Sequence, residues 1–290
     1  MSPVAGHHVT RSDAVAWMRS RVTGSASGFA AGTGRWLVFI ALTIASIPVA
    51  LRHYRKQTMR AINSLAWGRG SLIVDGGVLS VLIILGVAVG ASVAIEAFAT
   101  LDLIGFGALS GIVGSLANVR EMAPLVVGIA FAAQVGCRMT AEIGSMRISE
   151  EIDATEALGL RPIPFVVGTR LIGALTCVIP GFVATLVLSF LVSKLVIQVF
   201  HGQPAGTYDH YFTQFLSPTD ILYSLIKAIV FCAAVAIIHC YYGYFAVGGP
   251  AGVGIASGRA VRASLVSIIV LDFVLTAVMW GLQPTFVFKG

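Results

Sequence analysis

The sequence predicts an all-α polytopic membrane protein with five transmembrane helices, an N-terminal interfacial elbow helix and a short cytoplasmic helix between two spans. The chain of 290 residues is 57% hydrophobic and 11% charged, and its mean hydropathy of +0.90 is far outside the soluble range. Several uncharged stretches approach the ~20 residues that a helix needs to cross ~30 Å of hydrocarbon. Basic residues cluster beside some of these stretches, as the positive-inside rule expects.

Four stretches are clear spans because each contains at most two Lys, Arg, His, Asp or Glu side chains. They cover residues 76–95, 171–193, 221–247 and 263–288. Lys227 and His239 interrupt the third, and Asp272 interrupts the fourth.

Residues 103–137 are harder to assign, because Arg120 and Glu121 separate two apolar halves and Pro124 follows. The segment could form a hairpin of two short spans or one long helix kinked at the proline. Basic residues at 52–69 and again from 138 to 170 mark both regions as cytoplasmic. A single crossing keeps both on one side, so we expect one long helix, the second of five spans.

The run "WLVFIALTIASIPVAL" is 16 residues long, contains Pro48 and has basic residues on both sides. A signal peptide here would place the following basic cluster outside, against the charge rule. We therefore expect an interfacial elbow helix. The predicted organisation is a cytoplasmic lead over 1–34, the elbow and a basic connector over 35–70, and a transmembrane domain over 71–288. The N-terminus lies inside and the C-terminus outside.

The stretch "TAEIGSMRISEEIDATEALGLRP", residues 140–162, holds five of the thirteen acidic residues. Ser149 is a plausible N-cap, Gly159 can take a left-handed position and Pro162 stops continuation, which predicts a helix over about 148–158. Its apolar positions share one face and its acidic positions the other. A helix on an anionic leaflet should be basic. This acidic helix therefore favours docking into a basic groove of a cytoplasmic partner.

Charged residues inside the membrane need a reason, since burying them is costly. Arg120 and Glu121 lie roughly 27 Å along a helix from Arg138, near the outer surface. They could form a structural pair or a lipid headgroup site. Lys227 and Asp272 could form an ion pair between the last two spans or serve as an ion relay.

Other features limit the possible functions. Gly86, Gly90 and Ala94 form a small-residue row that lets helices approach closely. The sequence has no H-E-x-x-H, G-x-S-x-G or G-x-x-x-x-G-K-[ST] motif, and its four cysteines form no CxxC pair. Basic residues are too dispersed for nucleic acid. We expect no active site and no metal site.

Long segments of the chain resemble one family. They are "VREMAPLVVGIAFAAQVGCRMTAEIGSMRISEEIDATEALGLRPIPFVVGTRLIGAL", "LIKAIVF", a loop over 243–262 with "GPAGVGIASGRAV", and "LDFVLTAVMWG". This pattern resembles the MlaE/YrbE permeases, the membrane subunits of ABC-type lipid transporters. It is most similar to the actinobacterial YrbE branch, which pairs with Mce proteins. The resemblance covers about residues 76–282 and is weak over the first 70.

The resemblance implies that the 148–158 segment is a coupling helix that inserts into a separate ABC ATPase. That partner would bind ATP and Mg, so no cofactor is expected in this chain. The implied ATPase-coupling residues are Glu142, Gly144, Ile148, Glu150, Glu151, Ile152, Asp153, Glu156 and Leu158.

The resemblance also implies a second YrbE-type permease subunit, giving a heterodimer, and Mce-domain proteins above it in the plasma (inner) membrane. A lipid cavity would be lined by Arg120, Glu121, Gly86, Gly90 and Ala94. The expected cargo is a fatty acid or sterol-like lipid moving inward. Two alternatives stay open: an ion-coupled secondary carrier using Lys227 and Asp272, and a non-transporting membrane scaffold for Mce proteins.

Overall fold

The computed structural model describes residues 33–68 and 77–281, and these form nine helices. The helices are α1 (Thr33–His53), α2 (Arg55–Trp67), α3 (Val78–Asp102), α4 (Gly107–Ile148), α5 (Glu151–Ala157), α6 (Ile163–Phe200), α7 (Ala205–Phe215), α8 (Pro218–Tyr244) and α9 (Gly249–Trp280).

Six of these helices are long and apolar enough to cross a membrane: α1, α3, α4, α6, α8 and α9. The all-α polytopic fold class is therefore confirmed. The five predicted spans correspond to α3, α4, α6, α8 and α9. Helix α4 runs unbroken through Pro124 over 42 residues, so the single long helix is correct and the hairpin is not. Its π-helical turns, Asn118–Met122 and Ala132–Gly136, each widen the helix locally.

Helix α1 packs on α8 and α6 near the end of the bundle that carries α5. Trp36 stacks on Tyr241 near the end of α8, with ring centroids 3.6 Å apart. Ser46, about 15 Å further along α1, contacts Gly168 at the start of α6. Both contacts lie at the level of residues 140–143 of α4. Helix α1 therefore crosses α8 and α6 at one level of the bundle, which favours the predicted interfacial elbow. Its length and composition would also suit a span.

The core lies between α3, α4, α6 and α8, with α9 on the outside. Phe131, Phe182 and Phe231 are fully buried at its centre. In α9, 11% of the most apolar 18-residue stretch is buried inside the chain, against 56% of the corresponding stretch in α4. Most of α9 therefore faces away from the chain, as expected of a helix in contact with lipid.

Some predicted boundaries change. The expected loop over 243–262 is mostly helical, because α9 begins at Gly249 with Pro250 in its first turn, where a proline is tolerated. The lead over 1–34 falls almost entirely outside the described residues, as do 69–76, where the connector meets the transmembrane domain, and 282–290 at the end. The proposed domain boundaries stay predictions.

Candidate functional site

Five ionisable side chains meet between α4, α8 and α9, near the end of the bundle that carries α7; we call this the ion network. Lys227 is fully buried at its centre. Its Nζ lies 2.9 Å from Glu121 Oε2 and 2.7 Å from Asp272 Oδ1. It also donates to Thr276 Oγ1 at 2.7 Å, and that hydroxyl donates to Glu121 Oε1 at 3.0 Å. Lys227 thus joins three helices.

Arg120 belongs to the same network but pairs with a different carboxylate. Its Nε and Nη2 donate to Asp220 Oδ2 at 3.3 and 3.0 Å. Asp220 lies in the first turn of α8, where the helix dipole favours a negative charge. Trp280 Nε1 donates to its other oxygen at 2.7 Å. The Trp280 ring also lies 5.5 Å from the Arg120 guanidinium and 5.7 Å from Lys227 Nζ.

The local sequence explains this arrangement. Neighbouring residues of a helix do not face each other, so Arg120 and Glu121 point towards different partners. The interpretation of these two as a mutual pair is therefore wrong. Pro124 has no N–H to donate to the Arg120 carbonyl, and Lys227 Nζ donates to that oxygen at 3.0 Å. The structure also brings together Lys227 and Asp272, as the ion-pair hypothesis required.

The network combines buried and accessible groups. The side chain of Lys227 is 0% exposed, whereas that of Arg120 is 36% exposed and that of Glu121 is 34% exposed. Buried charges are tolerated when they are paired and hydrogen-bonded, as Lys227 is. The accessible guanidinium of Arg120 can bind a carboxylate or phosphate. The network can therefore hold the helices together and present one cation to a ligand.

Helix α5 and its flanks form a second candidate site at the opposite end of the bundle. Glu150 precedes the helix in the left-handed region with φ 60°. Gly159 has φ 76°, and Leu160 N donates to Thr155 O at 3.2 Å, which closes the helix. Ser149 is not the N-cap: Glu150 holds that position, and the Ser149 hydroxyl donates back to Ser145 O at 3.0 Å. The left-handed backbone at Glu150 separates α4 from α5, so α5 begins at Glu151 and is shorter than predicted.

The apolar face expected on this helix divides in two. Ile152 is 1% exposed and belongs to the chain's own core, whereas Leu158 is 79% exposed and Ile148, the last residue of α4, is 37% exposed. Asp153 forms an ion pair with Arg147 at 2.7 Å. The remaining acidic side chains of the segment are exposed: Glu150, Glu151 and Glu156. We call these three residues and Leu158 the α5 surface.

Two further residues predicted to couple to an ATPase lie apart from this surface. Glu142 accepts from Arg138 at 2.9 Å and from Arg170 at 3.4 Å, between α4 and α6. Gly144 is buried against Val253 of α9, where an added Cβ would come within 2.8 Å of a methyl group. Both positions have clear roles in packing.

The small-residue row lies inside the chain. Gly86 and Gly90 face the backbone of α6 at Thr185 and Ser189 so closely that neither could carry a Cβ without displacing it. Ala94, one turn further along, is 2% exposed. The row therefore serves the close approach of α3 and α6, the helix-packing function of such rows, and does not lie on an open surface.

Sequence reasoning missed Asp220, Thr276 and Trp280 as members of the network. Two signals were present in the sequence: Trp280 lies near a membrane boundary, and Asp220 follows Pro218 at the start of a helix. Neither signal indicates which residue the side chain contacts. Over residues 33–68 and 77–281, no group of three or more His, Cys, Asp or Glu side chains could hold a metal ion.

The fold defines a multi-pass helical membrane protein. Residues 70–278 match the model of the family described as "Permease MlaE", and the chain belongs to that family.

Individual relatives agree with this assignment. Protein TRIGALACTOSYLDIACYLGLYCEROL 1, chloroplastic, of Arabidopsis thaliana is 30% identical over 207 residues, 69% of this chain and 57% of the relative. A probable ABC transporter permease protein of Rickettsia prowazekii is 34% identical over 170 residues, 56% of this chain and 62% of the relative. A probable ABC transporter permease protein of Synechocystis is 31% identical over 183 residues, 62% of this chain and 69% of the relative. The chain thus spans about three fifths of the first two relatives.

Proposed function

We propose that this chain is the membrane permease subunit of an ATP-driven lipid transporter and has no catalytic activity of its own. A separate ABC ATPase binds ATP and Mg and docks on the α5 surface. The observation that carries this proposal is an exposed acidic helix between two spans of an MlaE-family permease. An acidic surface suits a basic groove better than it suits an anionic leaflet.

The proposed orientation follows from charge. The α5 end, with Arg138, Arg147 and Arg170, is cytoplasmic, and the α7 end is extracytoplasmic. The N-terminus is then inside and the C-terminus outside, in the plasma (inner) membrane.

The lipid site of this proposal is the accessible part of the ion network. Arg120 binds the phosphate or carboxylate of the cargo near the outer mouth of a cavity shared with a second permease subunit, and Glu121 orients it. Apolar side chains on the exposed faces of the spans receive the lipid tail. The wider assembly is a heterodimer of permease subunits below Mce-domain proteins, and the cargo is a fatty acid or sterol-like lipid.

The test is co-purification of the ATPase with wild type and with the double variant Glu156→Lys/Leu158→Lys. Both side chains are exposed, and a cation in the last turn of α5 agrees with the helix dipole. We expect unchanged thermal stability, loss of the bound ATPase and loss of lipid uptake. Ile152 is unsuitable for this test, since a charge there would disrupt the core.

The matched control is Glu96→Lys, a charge reversal at an exposed position near the C-terminal end of α3, at the end of the bundle away from α5. It should retain the ATPase. If the double variant also retains the ATPase and transports lipid, the coupling proposal is wrong.

If Arg120→Glu leaves lipid binding unchanged, the cavity proposal is wrong and the scaffold alternative gains support.

A second candidate function, an ion-coupled carrier, is favoured by one observation. Lys227 and Asp272 are linked to two further carboxylates, Glu121 and Asp220, so the network holds more titratable groups than the pair alone. Uptake into proteoliposomes that requires a proton gradient but no ATPase, and that Asp272→Asn abolishes, would establish this function instead.

A further inference from the structure

A cavity of about 330 Å³ lies between α2, α4 and α6 at the α5 end of the bundle. It is separate from the ion network and from the α5 surface. Its lining includes the polar side chains of Gln57, Arg60, Glu142 and Arg170 and the apolar side chains of Leu65 and Phe165.

Cations outnumber anions around this cavity. Glu142 is the carboxylate in its lining, and it is shared between Arg170 and the neighbouring Arg138. Arg138 also donates to Ser64 O at 2.9 Å and to Ser64 Oγ at 2.8 Å, so it is committed to holding α2 against α4. Arg60 adds a third guanidinium, which leaves an excess of positive charge.

Two of these cations keep donors that a ligand could use. Arg170 Nη2 contacts Met146 Sδ at 3.6 Å, and a thioether is a weak acceptor. The exposed Arg60 donates from Nη1 to Gln57 Oε1 at 3.2 Å, and the amide nitrogen of Gln57, another lining residue, is a further donor. Two guanidinium groups and an amide suit the several acceptor oxygens of a phosphate group.

Apolar side chains complete the lining: Leu65 and Phe165 belong to it together with Met146, on the same three helices as the polar groups. A ligand that fits this mixed lining has a phosphate group attached to an apolar chain. Basic pockets between membrane helices on the cytoplasmic side bind anionic lipid headgroups for this reason.

We propose that this cavity is a binding site for the phosphate headgroup of an anionic lipid of the cytoplasmic leaflet, held by Arg60, Arg170 and Gln57. The proposal rests on the orientation given under the proposed function, but it does not require transport. Such a lipid would tie α2 to α4 and α6 without entering the cargo cavity.

The experiment uses the full chain, purified in a zwitterionic detergent and titrated with short-chain phosphatidylglycerol. Wild type should bind it, and Arg60→Gln should weaken binding about tenfold, since one charge-assisted hydrogen bond is lost. Arg60 is exposed, so this variant should fold. Gln57→Leu, at a lining residue on the same helix as Arg60, provides a second test.

The matched control is Arg55→Gln, which removes the same charge from the same helix outside the cavity and should leave affinity unchanged. Equal weakening by Arg55→Gln would show diffuse surface attraction and overturn the proposal. Full affinity in both Arg60→Gln and Gln57→Leu would also overturn it, as would equal binding of short-chain phosphatidylcholine. Inorganic phosphate that binds as tightly and shows the same Arg60 dependence would assign the site to free phosphate and reject the lipid. None of these outcomes depends on the ATPase, which Arg60→Gln should retain.

Discussion

At the α7 end of the bundle, the charged side chains of the ion network contact one another across three helices, whereas at the α5 end Glu150, Glu151 and Glu156 are exposed. Lys227 is fully buried with partners on α4 and α9. Asp153, by contrast, pairs with Arg147 while its own side chain is 56% exposed. The two regions carry similar residue types in opposite environments.

This difference shows how charges in such a chain should be interpreted. A buried charge must be paired within the chain, or the chain would not fold in lipid. An exposed acidic helix has no such requirement, so its charge is free to recognise a partner. The ion network therefore explains how three helices are held together, whereas the α5 surface is not needed for the fold and stays available to a partner.

The substitution Lys227→Met should have the largest effect on stability. It leaves Glu121 and Asp272 facing each other without a cation, and breaking a buried ion pair in this way costs about 3–5 kcal/mol. We expect the midpoint of thermal unfolding in detergent to fall by roughly 10 °C. The measurement is thermal unfolding followed by intrinsic fluorescence.

The control for this prediction is Lys194→Met. Lys194 pairs with Asp209 at 2.7 Å, but both side chains are over 40% exposed, so its loss should cost about 1 kcal/mol or less. Equal losses in the two variants would show that burial does not distinguish the pairs. Adding Asp272→Leu to Lys227→Met should recover part of the stability, because it removes one unpaired carboxylate.

The spans and the continuous α4 could be predicted from the sequence, because lipid imposes length, hydropathy and charge asymmetry on each helix separately. The partners of Arg120 could not. The nearest carboxylate along the chain is Glu121, yet Asp220, a hundred residues away, is the one in contact. Only the helix rule that adjacent residues diverge argued against the local pair.

Ile152 shows a second limit of sequence reasoning. The pattern correctly indicates an amphipathic helix. The same pattern, however, is expected whether the apolar face packs on the chain's own core or on a partner. In the structure Ile152 packs inward and Leu158 outward. The choice depends on the position of α5 against the bundle, which no local pattern encodes.

The substitution Trp280→Phe should have an intermediate effect. It keeps the aromatic ring over Arg120 and Lys227 but removes the N–H that donates to Asp220 at 2.7 Å. A hydrogen bond to a charged group contributes about 1.5–3 kcal/mol, so unfolding should shift down by roughly 5 °C. Trp67→Phe, at a side chain that is 68% exposed, is the control and should change little. Identical shifts in the two variants would remove Trp280 from the network.

The substitution Asp153→Asn should have the smallest effect, about 1 kcal/mol or less, because its pair with Arg147 is exposed. Part of that loss comes from the helix dipole, since Asp153 lies in the first turn of α5.

The salt dependence of stability distinguishes the exposed pair of Asp153 from the buried ion network. At about 1 M salt the screening length falls to about 3 Å, so the deficit of Asp153→Asn should disappear. The deficit of Lys227→Met should persist, because solvent ions do not reach a buried cation. A Lys227→Met deficit that salt also abolished would mean that the network is solvated, and the contrast between the two ends of the bundle would then fail.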